Sequence, residues 1–216
     1  MRSPIVLVST AALALSACGA PKLALPADPI GKAATCGVVA AADARAANAE
    51  QVAAPLSFDR QGHIIHYALL AGAQGDRFSR TAAAAVVERM QVIQDAVTDG
   101  KWKALVQPCN AAYPEANSAN AVTLPSDPLE AEMSCYTLSK FMAKALAVQG
   151  NAYEKQLLEF GTLGRNLDPR IGRGLDRRGI RSEAARLAQR DIALAKAARL
   201  GSPAKVMDAC TARYNT

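Results

Sequence analysis

Apolar residues recur every three or four positions along most of the chain, which is the spacing of an amphipathic helix. Two of the clearest stripes are Val86, Met90, Ile93 and Val97, and Leu138, Phe141, Met142, Ala145 and Val148. Asp28-Pro29 and Asp127-Pro128 precede long apolar segments, and Asp at the N-cap with Pro at the first helical position favours a helix start. The pattern predicts helices over residues 29–54 and 128–149. No segment alternates apolar and polar residues in the manner of a strand, so we predict an all-α fold.

Two halves of the chain are similar to each other. The segment Leu25-Pro26-Ala27-Asp28-Pro29-Ile30 recurs 99 positions later as Leu124-Pro125-Ser126-Asp127-Pro128-Leu129. Cys36 and Cys135 share this offset, and Cys109 and Cys210 both stand four residues before a tyrosine. Matched segments at a fixed offset indicate a repeat architecture. We therefore predict one helical domain, residues 28–216, made of two tandem helical repeats of about residues 28–114 and 127–216, arranged as a helix bundle or an array of helical hairpins.

The first residues have the composition of an export signal. Met1-Arg2 is positively charged, residues 5–15 are mostly apolar, and small residues follow at Ser16 and Ala17. The apolar run is too short to span a bilayer, for which about 20 residues are needed. This three-part pattern predicts a secretory signal peptide over residues 1–17.

The tetrapeptide Leu15-Ser16-Ala17-Cys18 resembles the lipobox of bacterial lipoproteins. The resemblance implies cleavage before Cys18, a diacylglycerol on the Cys18 sulfur, and a fatty acyl chain such as palmitate on the new amine. Gly19 follows in place of Asp, which in lipoproteins of two-membrane bacteria implies transfer to the outer membrane. We expect a periplasm-facing outer-membrane lipoprotein, with the cell surface and the inner membrane as alternatives. Residues 18–27 are proline-rich and are expected to form an extended tether.

The other four cysteines, Cys36, Cys109, Cys135 and Cys210, are predicted to form disulfides, because an exported chain with an even cysteine set is typically cross-linked. If the last helix of each repeat packs antiparallel to the first, Cys36 pairs with Cys109 and Cys135 with Cys210. Pairing of Cys36 with Cys135 and of Cys109 with Cys210 stays open at this stage. A four-thiolate metal site is the further alternative, although the chain has no Cys-x-x-Cys.

Basic residues outnumber acidic ones by 25 to 19, and the formal net charge is +6 at pH 7. Seven arginines fall in one glycine-rich stretch: Arg165, Arg170, Arg173, Arg177, Arg178, Arg181 and Arg186. Guanidinium groups bind phosphate and carboxylate through paired hydrogen bonds. We expect this stretch to contact anionic lipid, peptidoglycan or another envelope protein of acidic character, and we expect no nucleic acid because the chain is exported. The alternative interpretation is a solvated, mobile loop.

The only two histidines of the chain, His63 and His66, follow Asp59 at helical spacing. Two imidazoles and a carboxylate can form a metal site with an open position, and a histidine can serve as a general base. The competing interpretation is a partly buried helix with polar edges. No nucleophile elbow and no His-Glu-x-x-His motif occurs in the sequence. We therefore expect a non-catalytic binding or scaffold protein of the envelope without a cofactor, and the alternative is a metal-dependent enzyme that uses Asp59, His63 and His66.

Overall fold

The computed structural model describes residues 24–47, 54–99, 102–118 and 120–215. The expected signal peptide, the expected lipidation site Cys18 and most of the expected tether lie outside these residues. The described part contains eight α-helices and no strand, which confirms the predicted all-α class. The helices are α1 (Pro29–Ala46), α2 (Phe58–Gly72), α3 (Arg80–Thr98), α4 (Val106–Ala112), α5 (Pro128–Ala147), α6 (Glu154–Arg177), α7 (Glu183–Ala197) and α8 (Pro203–Tyr214). In these ranges, no helix is both long and apolar enough to cross a bilayer.

The starts of α1 and α5 were predicted correctly. The Asp28 carboxylate accepts the N–H of Gly31 at 2.6 Å, and the Asp127 carboxylate accepts the N–H of Glu130 at 2.8 Å. Each bond satisfies an N–H that the first turn of a helix cannot pair internally, and the proline that follows each Asp has no N–H to satisfy.

The predicted ends of these two helices were too late. Helix α1 ends at Ala46 rather than 54, and Leu56, just before α2, packs with Ala44 and Ile64. Helix α5 ends at Ala147 rather than 149, and Gly150 then adopts a φ of +62°, a left-handed conformation that favours glycine. Val148, expected on the buried stripe, is exposed because it follows the end of the helix.

Helix α2 lies between two hydrophobic cores. Every residue from Ile64 to Gly72 is buried. Tyr67 and Leu70 belong to a core formed with α1, α3 and α4. Ile65 and Leu69 belong to the larger core formed mainly by α5, α6, α7 and α8. The helix therefore has apolar neighbours on both sides and connects the two halves of the molecule.

Further contacts between the halves surround α2. His66 and Gly62 of α2 contact the end of α7 and the first turn of α8. The His66 ring bonds the carbonyl of Ala198, the C-cap residue of α7, at 2.7 Å, and a Cβ on Gly62 would lie 3.3 Å from the methyl group of Ala204 in α8. The Tyr153 hydroxyl donates to the Leu56 carbonyl at 2.7 Å. These bonds pair polar groups that the packing of the two cores removes from water.

The disulfides join the first and last helix of each half. Cys36 of α1 is bonded to Cys109 of α4, and Cys135 of α5 is bonded to Cys210 of α8. Of the pairings left open by the sequence, the pairing within each half is therefore confirmed and the pairing between halves is wrong. The four-thiolate metal site is also wrong, because all four sulfurs are consumed in disulfides.

Most of the arginine-rich stretch is helical, in α6 and in the start of α7, and only the short connection between these helices is a loop, which corrects the interpretation of the whole stretch as a loop. Helix α6 runs for 24 residues through several glycines and through Pro169. It buries one stripe at helical spacing: Phe160, Leu163, Leu167, Ile171 and Leu175. A Cβ on Gly174 would lie 2.6 Å from a Leu129 methyl group, so this glycine allows close packing of α6 on α5. Packing of the apolar stripe thus outweighs the low helix propensity of glycine and proline.

Candidate functional site

Six of the seven arginines in the predicted anion-binding stretch lie on α6 and just after it: Arg165, Arg170, Arg173, Arg177, Arg178 and Arg181. Four are on the helix itself, Arg178 caps its C-terminus, and Arg181 lies in the connection to α7. The structure separates them into two groups by the partners of their guanidinium groups.

Two of the six, Arg170 and Arg178, are engaged in ion pairs within the protein. Arg170 contacts a carboxylate oxygen of Glu132 through Nε at 2.7 Å and through a terminal nitrogen at 2.6 Å, and it stacks 5.5 Å above the Tyr214 ring. Glu132 of α5 is only 6% exposed, so Arg170 compensates the charge of a buried carboxylate. Sequence reasoning missed Glu132, because nothing in its spacing distinguishes it from an exposed acid.

The second paired arginine, Arg178, closes the turn after α6. It contacts both carboxylate oxygens of Asp127, at 2.8 and 2.7 Å, and so ties the end of α6 to the N-cap of α5. The bonds from the Glu130 N–H and from Arg178 lower the pKa of Asp127. Arg186 of α7, the seventh arginine of the stretch, bonds Asp176 and the Ile180 carbonyl. The charges of these side chains are thus compensated by carboxylates of the chain itself.

The remaining four form what we call the α6 arginine surface: Arg165, Arg173, Arg177 and Arg181. All four are exposed, and none has a carboxylate partner in the part of the chain that the structure describes. Arg165 bonds the Thr162 hydroxyl at 3.0 Å, which leaves its charge uncompensated. Arg173 and Arg177 are one helical turn apart, so their side chains are neighbours.

The three candidate metal ligands are not brought together. Asp59 is exposed in the first turn of α2, whereas His66 is fully buried. The described residues contain no group of three or more His, Cys, Asp or Glu side chains that could hold a metal ion.

His66 has a structural role. Its Nε2 must carry the proton, since the Ala198 carbonyl 2.7 Å away can only accept a hydrogen bond. Its Nδ1 is buried and has no partner among the described residues. Burial lowers the pKa of His66 to about 4, although the bond to Ala198 acts in the opposite direction. The ring is therefore neutral at physiological pH and connects α2 to the end of α7.

His63 lines a separate cleft between α1, α2 and α4, which we call the His63 cleft. Its volume is about 160 Å³. The polar lining residues are Asp43, Arg60, His63, Tyr67, Asn110 and Asn117, and the apolar ones include Val39, Ala40 and Val106. His63 Nε2 lies 3.1 Å from the Tyr67 hydroxyl, which also bonds the Asn117 side chain.

Sequence reasoning missed most of the His63 cleft. Arg60, His63 and Tyr67 lie on one face of α2, at positions i, i+3 and i+7, and this spacing could have indicated a common surface. Asp43 and Asn117 come from other elements, and only the fold brings them to the same place.

Comparison of the chain with protein-family models, with curated proteins and with solved structures gives no match.

The depressed pKa of His66 predicts acid sensitivity. The unfolded chain binds a proton on this ring below about pH 6.5, whereas the folded protein binds it only near pH 4. The free energy of unfolding should therefore fall as the pH is lowered from about 6.5 to 4, by roughly 3 kcal/mol. Urea unfolding at several pH values measures this. The variant His66→Gln keeps a hydrogen-bond donor for the Ala198 carbonyl but has no group that titrates in this range. The fall in its free energy of unfolding between pH 6.5 and 4 should therefore be smaller than that of the wild type, by roughly 3 kcal/mol. An equal loss in both proteins would contradict the assignment.

Proposed function

We propose that the protein is a lipid-anchored envelope protein that binds anionic lipid headgroups through the α6 arginine surface and has no catalytic role. The observation that carries this proposal is the division of the arginines. Arg170, Arg178 and Arg186 pair with carboxylates of the chain, whereas Arg165, Arg173, Arg177 and Arg181 present uncompensated charge to solvent on and beside one helix.

The chemistry of the guanidinium group suits a headgroup phosphate, because its planar array of N–H donors matches two phosphate oxygens. Each basic side chain near an anionic membrane surface contributes about 1 kcal/mol to binding. A lipid at Cys18 would hold the domain close to such a surface, so that four modest contacts are sufficient to orient it. Peptidoglycan carboxylates and an acidic envelope protein offer similar chemistry and are the competing partners.

The proposed architecture is a duplicated unit of four helices. Its support is the correspondence of the two halves: Asp28 and Asp127 form equivalent N-caps before proline, and each half closes with a disulfide between its first and last helix. In this proposal residues 28–114 and 127–216 are the two repeats. Their second helices have since diverged, α2 toward full burial and α6 toward an exposed basic face.

The anchor is tested at Cys18. Cys18→Ser removes the only sulfur proposed to carry the diacylglycerol, so the protein should move from the membrane fraction to the soluble periplasmic fraction and should no longer incorporate a labelled fatty acid. Fractionation of cells that express either protein measures both properties. Fatty-acid incorporation that persists in Cys18→Ser, or wild-type protein that is entirely soluble, would contradict lipidation at this residue.

The binding surface is tested with exported Cys18→Ser protein, in which attraction to a surface can be measured without the lipid. Replacing Arg165, Arg173, Arg177 and Arg181 with Gln should weaken binding to phosphatidylglycerol vesicles by roughly 100-fold or more, since four contacts of about 1 kcal/mol are lost. Vesicle co-sedimentation at low salt measures this.

The matched control replaces four exposed basic residues elsewhere: Arg77, Arg89, Lys103 and Lys144. It changes the net charge equally and should retain most of the binding. If both variants lost the same affinity for the vesicles, net charge alone would explain the binding, and the proposed role of the α6 arginine surface would be contradicted. Binding to purified peptidoglycan but not to vesicles would identify the competing partner.

A further inference from the structure

We propose that the His63 cleft binds a small zwitterion of the amino-acid class, through a carboxylate on Arg60 and an ammonium group on Asp43. The cleft lies in the half of the molecule that does not contain α6, so this site is independent of the proposed membrane contact.

The first argument is the charge at the cleft. Asp43 of α1 and Arg60 of α2 both line it, and their side chains form no ion pair with each other or with any other residue in the described ranges. Both lie close enough to His63 to influence its titration, Asp43 raising and Arg60 lowering its pKa. One uncompensated anion and one uncompensated cation thus flank the same imidazole. A ligand with one charge of each sign satisfies both, whereas a simple anion or cation satisfies one and is repelled by the other.

The second argument is the state of His63. Burial is the largest influence on this ring and lowers its pKa, so it is neutral at pH 7. It therefore adds no second positive charge beside Arg60. The Tyr67 hydroxyl, which is itself bonded to the Asn117 side chain, holds the ring at Nε2 and leaves Nδ1 without a partner among the described residues. A neutral imidazole held in this way can exchange a hydrogen bond with a bound polar group.

The third argument is size. The cleft volume of about 160 Å³ is similar to that of a protein cavity that holds benzene, which is about 150 Å³. Val39, Ala40, Ala44 and Val106 provide an apolar wall beside the charged groups. Opposite charges beside a small apolar wall fit an amino acid with an aliphatic side chain, and valine is the probe of choice.

The test is a titration of the isotope-labelled, full mature chain with Cys18→Ser, followed by two-dimensional NMR. Valine should cause saturable shifts in the His63 ring and in amides of α1 and α2 around the cleft. Isovalerate lacks the ammonium group and isobutylamine lacks the carboxylate, so each should bind at least about tenfold more weakly. Titrations with leucine and alanine, whose side chains are larger and smaller than that of valine, measure how strictly the apolar wall selects the size of the ligand's side chain.

Asp43→Asn and Arg60→Gln should each weaken valine binding by about tenfold or more, because each removes one charge-assisted contact. Asp76→Asn and Arg77→Gln make the same changes at exposed positions away from the cleft and should leave binding unchanged. Three results would overturn the proposal: no saturable shift with any of the amino acids at millimolar concentration, equal binding of valine and its single-charge analogues, or full binding by both cleft variants.

Discussion

The burial of α2 between two hydrophobic cores is the constraint on which the rest of the structure depends. One helix supplies Tyr67 and Leu70 to the first core and Ile65 and Leu69 to the second, so neither core is complete without it. A helix with apolar neighbours on both sides has no polar face through its middle. Its buried histidine is tolerated because the Ala198 carbonyl accepts a hydrogen bond from the ring.

This arrangement determines where external groups can bind. Through its middle, α2 is mostly occupied by packing. The polar groups that it presents to the cleft beside α1 and α4 are Arg60 and His63 of its first turns and the hydroxyl of Tyr67. Helix α6 packs through one stripe alone and leaves its outer face to solvent. The basic charges on that face divide into those that stabilise the fold, such as Arg170 on buried Glu132, and those without a carboxylate partner. The positions of the two proposed binding sites therefore follow from one difference between these helices: α2 is packed on both sides through its middle, whereas α6 is packed on one side only.

Local signals in the sequence were sufficient to predict the helix starts at Asp28 and Asp127 and the all-α class, because capping and proline placement act within a few residues. The disulfide pairing followed from the assumption that the last helix of each half packs on the first. Helix α6 was harder to predict, since Pro169 and several glycines favour a loop and only tertiary packing of its apolar stripe outweighs them. Partners distant in sequence, such as Ala198 for His66 or Asp43 for His63, could not be identified before the fold was known.

Native-state hydrogen exchange of the disulfide-intact protein tests most directly whether α2 joins the two halves into one unit. Amides of α1, of the middle of α2 and of α7 should exchange through one shared opening, with the same free energy and the same dependence on denaturant, because unfolding either core must expose α2. The contradictory result would be exchange of α1, α3 and α4 through a separate opening of lower free energy, while α5 to α8 stay protected.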